Sequence, residues 1–312
     1  MSVTVFGSLN LDIALRLPSR ATWGQTLLVD GSAQAVGGKG LNQAIAAVRF
    51  GSPTRMAGAV GNDAAGEMLR AALDADGVDI ANVAVLRSAG SGRATILIEP
   101  AGDNMIVVET GANAHARADA GLAALDRDSR VLLAQLETDL DAVAAVFADP
   151  AAASLCKILN AAPAVPAGAK LFDLADVLIF NQAEFADYLA LDREPEDIDD
   201  LLVARRLLTR SGQAIIVTLG AVGSAIIWAD RAIFAPAVLA AAVVDTSGAG
   251  DCFCGVIAAC IDQGIAPEQA LRFANAAASI AVGRHGAAPS VPTRAEVAAL
   301  LGEAITHSDG EG

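Results

Sequence analysis

The chain has 312 residues, of which 54% are hydrophobic but only 4% aromatic, and its formal net charge is −15. That length holds one large domain with an appendage or two ordinary domains, and a core of Ala, Val, Leu and Ile suits parallel strands covered by helices. The acidic balance excludes a nucleic-acid surface or an anionic-membrane surface, both of which need basic patches, and the longest apolar run, 232–244, is too short to span a bilayer.

Residues 3–12, VTVFGSLNLD, predict a strand running into a turn, with Asn10 and Asp12 two apart and on one side of an extended chain. No basic region precedes the strand, so no signal peptide is expected. Segment 13–36 lacks helical periodicity and leads to Gly37-Gly38-Lys39-Gly40, after which Leu41, Ala44, Ile45 and Val48 make a helix face. This glycine-rich helix start is not a P-loop, because no Ser or Thr follows Lys39 and the upstream glycine spacing is wrong; nor is it a dinucleotide fingerprint.

Strand, turn and helix follow over 56–73, and two β-rich runs, 93–99 and 104–109, are joined by Pro100-Ala101-Gly102-Asp103 as a hairpin. The hairpin interrupts the βα alternation, so it is assigned with parts of 13–36 to a small second sheet. Alternation resumes with strands at 131–136, 158–159, 177–180 and 215–218, followed by a hairpin over 224–234 and a helix over 267–282. The polar residue after each strand then places Asn10, Glu137, Asn181, Thr218 and Asp251 along one edge of one sheet, where ligands of parallel sheets bind.

The stretch 245–251, DTSGAGD, joins the apolar run 232–244 to a helix whose periodic residues are Cys252, Phe253, Val256, Ile257 and Cys260. Free N–H groups and the helix dipole make such a start receptive to phosphate. On this stretch alone Asp251 is either a first-turn helix acid or a general base beside an anion hole. Cys252 and Cys254 point to different helix faces, and with Cys156, Cys260 and only three histidines no zinc-type cluster is apparent; reduced thiols in a cytoplasmic setting are expected.

Taken together, Gly7-Ser8-x-Asn10-x-Asp12, Gly37-Gly38-Lys39-Gly40-x-Asn42-Gln43, Asn181-x-x-Glu184, Val217-Thr218-Leu219-Gly220-x-x-Gly223 and Asp245-Thr246-x-Gly248-Ala249-Gly250-Asp251 resemble the ribokinase (PfkB-type) sugar kinase family from residue 3 to about 300. Gln135-Leu136-Glu137 and Arg284-x-Gly286-Ala287-x-Pro289-Ser290 resemble its ribose-phosphorylating branch. The resemblance implies a ribokinase-like α/β fold: a mainly parallel central sheet with helices on both faces, plus a small β lid. The main domain would comprise 1–12, 37–91 and 111–305, the lid 13–36 and 92–110, and 306–312 a flexible tail.

It also implies transfer of the ATP γ-phosphoryl group to O5 of ribose. Asn10, Asp12, Gly38, Lys39, Asn42 and Glu137 would hold the sugar, Asp251 would be the base, and the amides of Gly248, Ala249 and Gly250 would form the anion hole. Asn181 and Glu184 would organise Mg²⁺ and phosphates, Glu184 through water. Thr218, Gly220, Gly223 and Gly250 would border the nucleotide, with Asn275 near the adenine. An activating K⁺ would use Asp245 and Ser290 side chains with carbonyls of Ser247, Ala281, Arg284 and Gly286, and a homodimer would form through the lid. Gln182 departs from the usual acid after Asn181. The rivals are a family member acting on deoxyribose, fructose or a nucleoside, a non-catalytic sugar-binding protein on the same fold, and, more distantly, a nicotinamide dehydrogenase.

Overall fold

The structure, a computed structural model, describes residues 1–29, 31–101 and 103–302. The first half of the chain forms β1 (Ser2–Phe6), β2 (Asn10–Arg16), β3 (Ser32–Gly37), α1 (Lys39–Arg49), β4 (Thr54–Gly61), α2 (Ala64–Ala75), β5 (Asp79–Leu86), β6 (Gly92–Ile98), β7 (Asn104–Glu109), α3 (Ala118–Ala123), β8 (Ser129–Ala134) and α4 (Leu140–Ala148). The second half forms β9 (Cys156–Asn160), β10 (Val177–Asn181), α5 (Gln182–Leu189), β11 (Ala214–Thr218), β12 (Gly223–Ile227), β13 (Ala232–Pro236), α6 (Ala249–Asp262), α7 (Pro267–Val282) and α8 (Arg294–Leu301).

Nine strands make one sheet in the order β13-β12-β11-β10-β9-β8-β1-β4-β5, and its pairings are parallel except for β11 with β12 and β12 with β13. Its strands alternate side chains between two apolar clusters. Val3, Val5, Val131, Leu133, Ile158, Val177, Ile179 and Ile216 pack with α1, α6 and α7. Phe6, Leu132, Leu159, Leu178, Phe180, Ile215 and Val217 pack on the other face with α4 and α5. That period of two, with both sets buried, is why the strands read as continuous apolar runs and why helices cover both faces.

The remaining strands form a second sheet, β3-β2-β6-β7, in which β2 pairs antiparallel with β3 and parallel with β6. This sheet corrects the placement of Asn10 at the edge of the main sheet. The chain turns after Phe6, and Asn10 and Asp12 already belong to β2, so the small sheet begins at Asn10 rather than at 13.

The hairpin expected over 224–234 is formed by β12 and β13, and the apolar run 232–244 is strand as far as Pro236, where the pairing with Gly223 ends. Strand β5 has no counterpart in the sequence reading, although it extends the main sheet beside β4. The expected tail at 306–312 lies outside the described residues. Among the described residues, no helix is long and apolar enough to cross a membrane.

Candidate active site

The N-terminus of α6 is the centre of the site. Gly248 caps it in the left-handed region, φ 73°, and a Cβ there would lie 2.6 Å from the Ala287 side chain, so the position demands glycine for conformation and for space. A Cβ on Gly250 would meet nothing within 4 Å, so this turn faces open space. Asp251, in the first helical turn, is 9% exposed. Its Oδ2 accepts from Asn42 Nδ2 and its Oδ1 from Gln43 Nε2, both at 2.9 Å.

Beside these α1 amides, Ser8, Lys39 and Glu137 form a second polar group. Glu137 Oε2 accepts from Ser8 Oγ at 2.5 Å and from the Lys39 N–H at 3.4 Å, and Lys39 Nζ stands 3.9 Å from Glu137 Oε1. Burial works against the Lys39 ammonium, but the carboxylates of Asp251, Glu137 and Glu184 outweigh it and hold the pKa above the ordinary lysine value. For Asp12, burial and then the negative charges of Glu137 and Asp251 push the carboxyl up to about 7, against the pull of Lys39. Asn10 Oδ1 accepts from Asn113 Nδ2 at 2.7 Å, while Asn113 Oδ1 takes the Leu9 N–H at 2.9 Å; the Asn10 amide is therefore oriented with its Nδ2 free to donate.

Two cavities meet at this point. One is lined by Lys39, Asn160, Asn181, Glu184, Gly248 and Asp251 among others, and is mainly polar at its wall. The other, about 410 Å³, is walled by apolar groups such as Val238, Leu239, Val243, Phe253, Ala278 and Val282 together with Gly220 and Gly223, a size and character suited to a flat organic ring. Thr218 and Gly250 line both.

Asn275 borders the apolar cavity, but its amide is spent inside the protein. Its Nδ2 donates to the carbonyls of Ala235 and Pro236, and its Oδ1 accepts from Ser224 Oγ. It pins α7 to the β12–β13 hairpin. Asn181 and Glu184 form a capping box at the start of α5: Asn181 Oδ1 accepts from the Glu184 N–H at 2.7 Å, and Glu184 Oε2 from the Asn181 N–H at 2.9 Å. Burial raises the Glu184 pKa despite the Asn181 N–H bond and nearby Lys39. Gln182 donates to the Pro195 carbonyl at 2.8 Å, and its Oε1 lies near Gly220.

The loop after α7 folds against the loop before α6. Asp245 Oδ1 accepts from the Ser247 N–H and Oδ2 from the Gly286 N–H, each at 2.9 Å; burial opposes ionisation there, but those amides prevail and hold the pKa below the ordinary carboxylate value. Ser290 Oγ donates to the Ala287 carbonyl at 2.7 Å, and Arg284 donates to the Ser290 carbonyl and to Glu296. The Ala281 carbonyl accepts from the Arg284 N–H at 3.0 Å. Asp245, Ser247, Ala281, Arg284, Gly286 and Ser290 thus occupy neighbouring turns beside Gly248.

Sequence reasoning left Ser8, Gln43, Asn113, Gln135 and Asn160 out of the site. All five are buried and bonded to the groups just described. Ser8, Gln43 and Gln135 were visible only as members of motifs, and a neutral amide such as Asn113 carries no local signal of what it will meet.

Known proteins resemble this chain in sequence and in fold. The family model for pfkB family carbohydrate kinases matches residues 1–294. The ribokinase of Schizosaccharomyces pombe is 31% identical over 307 residues, covering 95% of this chain and 96% of the relative. That of Bacillus subtilis is 33% identical over 302 residues, with 96% and 99% covered. The solved structure of Arabidopsis thaliana ribokinase complexed with ribose and ATP superposes with a TM-score of 0.84 at 30% identity, covering 96% of this chain and 98% of that one.

Proposed function

Because the chain belongs to the pfkB family of carbohydrate kinases, we propose that it is an ATP-dependent phosphotransferase that phosphorylates O5, the primary hydroxyl of D-ribose, to give ribose 5-phosphate and ADP. The observation that carries the reading is the buried carboxylate of Asp251 at a glycine-capped helix start, where a polar cavity and an apolar cavity share the wall of Thr218 and Gly250.

In this reading Asn10, Asp12, Gly38, Lys39, Asn42 and Glu137 hold the sugar. A buried polyol needs paired donors and acceptors, and the oriented Nδ2 of Asn10 beside the carboxylates of Asp12 and Glu137 offers both. The primary hydroxyl gives its proton to Asp251 as its oxygen attacks the γ-phosphorus; the bond from that phosphorus to the bridging oxygen breaks, and ADP leaves with the electron pair. The amides of Gly248, Ala249 and Gly250 at the positive end of α6 stabilise the charge on the transferring group. The base of the nucleotide fills the apolar cavity past Gly220 and Gly223, with Asn275 shaping the wall rather than reading the ring.

Glu184 suits a hydrated Mg²⁺, since its Oε2 is used by the helix cap and a single carboxylate with phosphates and waters is the usual Mg²⁺ environment. When bound, the ion neutralises phosphate charge. The turns carrying Asp245, Ser247, Ala281, Arg284, Gly286 and Ser290 offer hard oxygen donors of the kind a monovalent cation such as K⁺ takes. A homodimer through the outer face of the small sheet is supported by β7, whose residues are all exposed although four of them, Met105–Val108, are apolar. A cytoplasmic setting is supported by four free cysteines, three of them buried.

The test measures ADP release across D-ribose, 2-deoxyribose, fructose and adenosine, with potassium or a bulky organic cation. Strong turnover on ribose that falls by about 10²-fold or more in Asp251→Asn, with ribose binding kept, is the expected result. A preference for another acceptor moves the substrate, and near wild-type turnover in Asp251→Asn removes the mechanism.

A further inference from the structure

We propose that Gln43 is a positioning residue for the base: its buried amide fixes the rotation of the Asp251 carboxylate through a chain of amides anchored on the backbone of β10. The proposal rests on the reading of Asp251 as the proton acceptor.

The direction of every bond in the chain is set from its far end. The Ile179 carbonyl can only accept, so Asn160 gives it Nδ2, at 3.3 Å, and turns Oδ1 towards α1. Gln43 must then present Nε2, which donates to Asn160 Oδ1 at 3.0 Å and to Asp251 Oδ1 at 2.9 Å, using both hydrogens. Its Oε1 is left to accept, and Gln135 Nε2 donates to it at 2.7 Å. Both hydrogens of the Gln43 amide are used, and Gln43 lines neither cavity. Its links to the polar cavity run through Asp251 and Asn160, and of these Asp251 is the proposed base.

The second anchor is the neighbouring residue. Asn42 Nδ2 donates to Asp251 Oδ2, so consecutive residues of α1 hold the two oxygens of one carboxylate in α6. That arrangement requires the two helices to touch. Gly255, one turn beyond Asp251, supplies the contact: a Cβ there would collide with the Gln43 carbonyl and the Ala46 side chain. With one amide bond on each oxygen, the carboxylate plane is fixed while lone pairs remain to receive the hydroxyl proton.

Gln43→Met keeps the length of the side chain and removes both donors. Turnover should fall about 10- to 100-fold, the cost of a misaligned reacting group, while the ribose KM stays within about threefold and the circular dichroism spectrum is unchanged. The deciding measurement is the double variant. If Gln43 acts only through the carboxylate, Gln43→Met in the Asp251→Asn background leaves turnover at the level of Asp251→Asn alone. Multiplicative losses, or wild-type turnover in Gln43→Met beside an impaired Asp251→Asn, overturn the proposal and leave the base assignment intact. Should Asp251→Asn itself turn over normally, both readings fall. If Gln43→Met does not fold, Gln135→Met, one step further from the base, carries the same test with a smaller expected loss.

Discussion

Strands β7 and β11 carry similar letters and meet opposite fates. Ile106-Val107-Val108 and Ile215-Ile216-Val217 are both β-branched runs, yet every residue of β7 is exposed and the run in β11 is buried. Strand β11 lies between β10 and β12 with an apolar layer on each face, whereas β7 pairs only with β6 at the end of its sheet. Propensity makes both segments strands, but the layers on either side decide what the same side chains contribute. In the main sheet they stabilise the fold of one chain. In the small sheet they form an apolar strip that a single chain leaves in water, the kind of surface that marks an interaction site.

The contrast can be broken by matched truncations. Ile216→Ala, at a site 1% exposed, should cost about 2–5 kcal/mol in denaturant unfolding. Ile106→Ala, at a site 55% exposed, should cost less than about 0.5 kcal/mol at protein concentrations low enough to keep chains apart. Equal losses would mean that β7 is covered within the chain.

Asp12 sharpens the boundary between the two sheets, because it sits on β2 yet lies in the field of Glu137 and Asp251. Its folded-state pKa, raised to about 7, lies above the value near 4 of an unfolded carboxyl, so between them the folded form binds more protons. Stability from this group is therefore lost as pH rises from about 4 to about 7, on the order of 1 kcal/mol per pH unit. Asp12→Asn should lack that slope, and its advantage over wild type in unfolding of the ligand-free enzyme should grow across the window. Parallel pH curves would show that Asp12 ionises as freely as a surface acid.

The smallest expected change in folding is Val107→Asp. Unfolding of the single chain should move by less than about 0.5 kcal/mol, while sedimentation at micromolar concentration should shift from dimer towards monomer. A monomeric wild type would remove the proposed assembly.

The chain's apolar runs announced most of the main sheet, because strands buried on both faces need no alternation to be seen. Strand β5 escaped because Asp79, Ala81, Asn82 and Ala84 dilute its β signal, and as an edge strand it is only partly buried. The run 232–244 has two uses that its letters do not separate: it is strand as far as Pro236, and beyond it Val238, Leu239 and Val243 line a cavity. At the site, carboxylates and glycine turns were visible from residue type and from resemblance. The buried amides behind them were not. Gln43 meets Asn160 across 117 positions and Gln135 across 92, and Asn113 meets Asn10 across 103, so only the folded topology brings them together. The Asn181 and Glu184 spacing carried a local meaning as well, since Asn-x-x-Glu before a helix is a cap signature.

Thr218 and Gly250 belong to the walls of both cavities, so on the proposed function this shared wall is where the two binding events would be linked. A molecule that displaces or stiffens that wall changes the work its neighbour must do to enter. The exchange is symmetrical: if nucleotide tightens the acceptor by some factor, the acceptor must tighten nucleotide by the same factor, whichever arrives first.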